Sequence, residues 1–177
     1  MKLFKRLQSK PGFSLIEILA VFFIIATTLT GVVSLIIQNI QVQSINRNNL
    51  IASSLAQEGV ELIRQTRDAN WKAGNYYLTN LNDGSYIIDY RLNTPQLISG
   101  SVDSKIYLQN GFYINATGGE VNLTPTIFSR QVILEKQTSY GGLPAVDAPL
   151  QVRVLISWTD RQRPYNYELR ALLFNWK

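Results

Sequence analysis

The sequence contains no cysteine and no histidine. The first absence excludes disulfides, thiolate metal sites and thiol nucleophiles. The second removes the commonest general acid–base residue, and with it any Ser-His-Asp or Cys-His machinery. Charge is also sparse: 17 Lys and Arg against 12 Asp and Glu in 177 residues, a net of +5. The excess is local. Lys2, Lys5, Arg6 and Lys10 stand in the first twelve residues with no acid among them, and setting those four aside leaves 13 bases against 12 acids. A general nucleic-acid surface is therefore disfavoured. No G-x-x-x-x-G-K-[ST] phosphate loop and no EF-hand-like acidic loop occurs. With no recognisable catalytic constellation, an enzyme is the weakest reading, and no cofactor or metal is implied. The length is that of one domain, at most with an appendage.

What the chain does have is one long apolar run. Residues 13–37 read F-S-L-I-E-I-L-A-V-F-F-I-I-A-T-T-L-T-G-V-V-S-L-I-I, with a single charge, Glu17. About 20 apolar residues cross a bilayer as a helix, so the run is long enough. The basic residues before it predict a cytoplasmic N-terminus and an exported remainder, a single-pass arrangement in the cytoplasmic membrane. A secretory signal peptide has a shorter apolar region, about 7–15 residues, followed by a small-residue cut site that is missing here. The plain reading is a signal anchor holding an exported domain. Glu17 argues against it. A carboxylate deep in a spanning helix costs roughly 2.5–3.5 kcal/mol, and such acids are usually paired and functional. Lys10-Pro11-Gly12 also breaks any helix just before Phe13.

The string K-P-G-F-S-L-I-E-I-L-A-V, residues 10–21, resembles the cleavage and methylation signal of type IV prepilins. The resemblance covers 25–30 residues: basic leader, Gly, aromatic, Glu and apolar run stand at the required spacing. It implies that a membrane prepilin peptidase cuts between Gly12 and Phe13 and N-methylates Phe13. It also implies that Glu17 meets the terminal amine of a neighbouring subunit during assembly. Many pilins have a Pro about 22 residues into the mature helix; Ser34 stands there in this chain, so no Pro kink is expected. The weak helix formers of 26–35, A-T-T-L-T-G-V-V-S-L, suggest a stretch that loses helical hydrogen bonds on assembly, as in related filaments. Leu55–Trp71 is similar to a segment of a minor-pilin subgroup described as pilus modification proteins.

The resemblance implies further partners: other pilin subunits, an assembly platform and its ATPase, since this chain carries no ATPase of its own. It implies a processed protein that moves from the cytoplasmic membrane into a cell-surface or periplasmic filament. The alternatives are a pseudopilin of a type II secretion or competence system, and a signal-anchored surface-binding domain that does not polymerise.

The rest of the chain reads as α+β: a long N-terminal helix packed on an antiparallel sheet, the pilin-like architecture. The segments are a removed leader (1–12), an assembly helix (13–37), an amphipathic continuation (38–71) and a β head (72–177). Ile45, Ala52, Leu55, Ala56, Gly59, Leu62 and Ile63 make one stripe at three- and four-residue spacing. Helix-on-sheet packing is preferred to a coiled-coil seam, with close approach to the sheet as the reason for Gly59. A stop is expected near Asn70–Gly74, and 13–71 as one helix would run about 88 Å.

Alternation predicts a strand through Tyr86, Ile88, Tyr90 and Leu92, and a hairpin of 104–109 and 112–115 around Asn110-Gly111. Further strands are expected at Ile127–Leu134, Leu150–Trp158 and Tyr165–Trp176, with a turn at Asp160–Pro164. Gly118-Gly119 and 137–149, including Pro144, read as loops. Without a disulfide the closing hairpin must rely on sheet pairing and packing.

Three weaker signals remain. Arg153, Arg161, Arg163 and Arg170, with Tyr165 and Tyr167 between, suggest a local polyanion site; a solvated hairpin with packed tyrosines is preferred. Asp83, Asp89 and Asp103 are read as turn chemistry rather than calcium ligands. Asn115-Ala-Thr117 and Asn122-Leu-Thr124 match glycosylation sequons, which arise often by chance, and an ordinary strand or loop reading is favoured. Trp71, Trp158 and Trp176 are expected in the core.

Overall fold

The computed structural model describes residues 12–92, 94–98, 103–117, 120–142 and 148–175. The leader charges Lys2, Lys5, Arg6 and Lys10, the Gly118-Gly119 loop, Pro144 and Trp176 lie outside the described residues. The fold is α+β. Among the described residues one helix, α1 (Leu15–Lys72), precedes seven strands: β1 (Gly84–Ile87), β2 (Gln96–Leu97), β3 (Lys105–Gln109), β4 (Phe112–Asn115), β5 (Thr124–Lys136), β6 (Leu150–Asp160) and β7 (Arg163–Leu173). The chain divides into two compact units between Ser44 and Ile45. The first holds, among its described residues, the non-helical 12–14 and the start of α1; the second, the head, holds the rest of α1 and the sheet.

All strand pairs in the head are antiparallel, and β5 is the hub. Along one edge it pairs with β6, which pairs with β7. Along the other, its first half pairs with β3 and its second half with β1, and these carry β4 and β2. Alternation decides the faces. Phe128, Arg130, Val132 and Leu134 of β5 and Leu150, Val152, Val154, Ile156 and Trp158 of β6 are buried. They meet Ala52, Leu55, Ala56, Val60 and Ile63 of α1, so the helical stripe packs on the sheet and is not a coiled-coil seam. Leu62 is only partly buried, whereas Val60, Thr66 and Arg67 join the buried set.

The helix ends where its sequence stops supporting it. Gly74 takes φ +73°, its N–H bonds to the Trp71 carbonyl (3.0 Å), and the Asn75 N–H bonds to the Asn70 carbonyl (2.9 Å), a Schellman closure. The Asn70 side chain then holds the carbonyls of Tyr77 and Thr79 at 3.1 and 2.8 Å. Asn110 and Gly111, at φ +51° and +85°, form the expected two-residue turn between β3 and β4. The β6–β7 turn is tighter than the sequence suggests. Asp160 pairs with Arg163, and Arg161 and Gln162 alone turn the chain at φ +48° and +65°. The ladder running from Leu150↔Leu173 to Asp160↔Arg163 holds that strained pair, and it supplies the closure a disulfide would otherwise give.

One strand is shorter than its alternation predicts. β1 ends at Ile87, and residues 88–92 leave the ladder. The cause is Asp89, whose fully buried carboxylate accepts from the Arg91 backbone (2.9 Å) and its Nη2 (2.7 Å), folding the chain into a turn. Tyr90 is thrown outward and half exposed. The two-residue β2 is not foreseen by any periodicity.

Candidate functional site

The described part of the first unit is helix bared on every side. Every described residue from Gly12 to Gln43 is exposed, and an 18-residue stretch of mean hydropathy 2.5 has none of its surface buried. It is long and apolar enough to cross a membrane. Phe13, Leu15 and Ile16 are 81, 77 and 72 % exposed. Soluble monomers seldom present a contiguous apolar surface of this extent, so it calls for a non-aqueous neighbour. The backbone suits one, because a helix satisfies its own peptide groups. The three threonine hydroxyls are bonded back onto the helix as well: Thr27 donates to the Phe23 and Ile24 carbonyls (3.0 Å each), Thr28 to Ile24 (2.8 Å) and Thr30 to Thr27 (2.8 Å). The helix continues unbroken through 26–35 and past Ser34.

The start of α1 follows from Ser14. Its carbonyl accepts from the N–H groups of Glu17 (3.0 Å) and Ile18 (3.2 Å), so the helix begins at Leu15 and the Gly12–Phe13 bond lies outside it. A side chain on Gly12 would meet nothing within 4 Å. Glu17 sits in the first turn, where the helix dipole favours an anion. It borders a shallow recess of about 280 Å³ lined by Phe13, Ile18, Val21 and Phe22. No hydrogen bond or ion pair engages its carboxylate among the described residues. Gly12, Phe13 and Glu17 are thus brought together at one helix end, while the leader charges are not described.

The head places the four arginines in two groups. Arg153 and Arg170 are cross-strand neighbours, and each has its own carboxylate: Glu135 at 3.4 Å and Glu168 at 2.5 Å. Arg161 and Arg163 belong to the hairpin tip, Arg163 being seven residues or about 24 Å along β7 from Arg170. Tyr165 is stacked on Trp158, with centroids 5.6 Å apart and planes at 12°, and Tyr167 packs on the core. Trp71 packs there too, beneath the Arg67 guanidinium at 4.7 Å.

The three aspartates weighed for calcium are dispersed into local roles. Asp83 accepts the Lys136 N–H (2.6 Å), Asp103 the Lys105 N–H (3.1 Å), and Asp89 is neutralised by Arg91, which also reaches Glu120 at 3.4 Å. Arg91 thus bridges Asp89 and Glu120.

Arg130 has no counterpart in the sequence reading. It is fully buried under α1, donating to the Leu55 carbonyl (3.3 Å), to Glu58 (3.0 Å) and to the Ile88 carbonyl (2.5 Å). Its signal was available in the alternation 128, 130, 132, 134, which puts position 130 on the buried face. Comparison of the chain with family models, with curated protein sequences and with solved structures gives no match.

Proposed function

We propose that the chain is a structural subunit, a minor pilin of a type IV pilus or a pseudopilin of a related filament, and not an enzyme. The observation that carries this reading is the helix of 15–43: apolar, bare, its threonine hydroxyls bonded inward, with one acid in its first turn. A membrane peptidase cuts after Gly12, in the stretch of chain ahead of the helix, and methylates the new Phe13 amine. The cut removes the four basic residues that hold the N-terminus at the cytoplasmic face, so no fixed leader charge opposes extraction. In the filament core, where an unpaired carboxylate is costly, the amine of a neighbouring subunit neutralises Glu17. Such a pair fixes axial register more than it adds stability. Energy for extraction comes from a partner ATPase acting through an assembly platform. Mass spectrometry of the protein made alongside its own peptidase tests the reading. A mature chain starting at Phe13, with or without a methyl group, supports it; an intact Met1 start with function retained supports a non-polymerising anchor instead.

A further inference from the structure

Two segments of the head carry the pattern Asn-x-Thr, and the fold treats them in opposite ways. Asn115 ends β4 and is fully buried. Its side-chain nitrogen donates to the carbonyls of Ser104 (3.4 Å) and Lys105 (3.2 Å), and its backbone N–H donates to buried Asp89 (3.0 Å). No enzyme reaches that nitrogen without dismantling the β3–β4 hairpin. Asn122 is exposed, at φ +59° in the loop that leads into β5, and Thr124, also exposed, opens that strand. The loop is held from behind. Glu120 accepts from the Thr117 N–H (3.0 Å) and hydroxyl (2.7 Å), and the Val121 carbonyl accepts from Gln109 Nε2 (2.9 Å). The exposed Asn122 therefore stands in an anchored turn, with Thr124, two residues on, also exposed.

We propose that Asn122 is the acceptor of an N-linked glycan, and that Asn115 is not. The donor class is a polyprenyl-diphosphate-linked oligosaccharide, used by a membrane transferase on the exported side; the head's presence there rests on the topology proposed above. In the transfer, the Asn122 side-chain nitrogen forms a bond to the anomeric carbon. The bond from that carbon to the diphosphate oxygen breaks, the electron pair leaves with the lipid diphosphate, and one amide proton passes to a base of the transferase. Nothing is oxidised or reduced. One class of such transferases also reads an acid two residues before the asparagine, which here is Glu120. In the folded head that carboxylate is only 10 % exposed and is held by Arg91 and Thr117. A transferase of this class acts while Glu120 is released from Arg91 and Thr117 and the β3–β4 hairpin that seals Asn115 is already formed.

The test is glycopeptide mapping of the full chain isolated from the cells that make it, with fragmentation that separates positions 115 and 122. A sugar adduct on Asn122 with Asn115 bare is expected. Asn122→Gln and Thr124→Val lose the adduct completely, and Thr124→Ser keeps it. Unmodified Asn122, or a glycan on Asn115, overturns the proposal. The same spectra read the N-terminus separately. A chain cut to Phe13 with bare Asn122 removes the glycan and leaves the filament reading standing, and a glycosylated chain with an intact Met1 does the reverse.

Discussion

Gly59 of α1 lies so close to Val154 of β6 that a Cβ built on it would stand 3.1 and 3.2 Å from the two valine methyls, with Arg130 Cδ at 3.6 Å. A glycine in a helix interior costs about 1 kcal/mol against alanine. Here that cost lets helix and sheet approach each other. Val154 is fully buried and β-branched, so it has little room to yield. Gly59→Ala therefore loses more by overpacking, roughly 1–3 kcal/mol, than it gains in propensity. A net loss of about 1 kcal/mol is expected, and Gly59→Leu should abolish native packing. Urea midpoints of the two variants decide it; a stabilised alanine variant would contradict the contact.

Arg130 and Glu58 tie the helix to the sheet. Arg130→Ala strands Glu58 and the Ile88 carbonyl beside a cavity, and a loss of about 3–5 kcal/mol is expected. Glu58 is one-third exposed and can rehydrate, so Glu58→Gln, which keeps an acceptor oxygen, should cost about 1 kcal/mol. Equal losses for the two variants, measured by denaturant unfolding, would mean that the guanidinium is not the keystone.

Tyr86 makes the head sensitive to alkali. Burial, and then the nearby negative charge of Asp83, raise its pKa above 10.0. Between the unfolded and folded values the unfolded chain has lost a proton that the native state keeps, so stability falls as pH rises through that window. Below pH 10 the contribution is fully present. Tyr86→Phe should flatten the decline between pH 10 and higher values relative to the parent; an unchanged slope would assign the effect to other tyrosines. The Arg91 guanidinium is held above its ordinary value, chiefly by its hydrogen bond to Asp89, so its pair with that acid persists through the same range.

On the proposed filament reading, substitutions at Gly12 and Glu17 separate processing from assembly. Gly12→Val should leave full-length protein in the membrane, because a branched side chain replaces the smallest one at the cut. Glu17→Ala should be cut nearly as well as the parent yet enter filaments poorly. Immunoblots of membrane and sheared-filament fractions show both outcomes, and normal incorporation of the alanine variant removes the pairing role of Glu17.

Removing residues 1–37 should give a soluble head. Its circular dichroism should be of mixed helix and sheet rather than mostly β, because the α1 residues Ala52–Ile63 are part of its core. A disordered spectrum would contradict the head's independence.

The long helix, its stop near Gly74, the Asn110-Gly111 hairpin and the existence of the strands β5, β6 and β7 follow from sequence alone. Each is dictated by local rules: apolar period, positive-φ residues, alternation. The spacing of Gly12, Phe13 and Glu17 that carries the proposed processing signal is equally local, three residues within six positions. What only the tertiary structure decided is where polar groups end up when they must be buried. Alternation cannot say that Arg130 finds two carbonyls and a glutamate beneath the helix, or that Asp89 ends β1 by closing on Arg91. Nor can it say that one Asn-x-Thr segment is sealed inside the sheet while the other faces solvent. A buried charge or amide is tolerated only where partners distant in sequence converge on it, and convergence is a property of the fold.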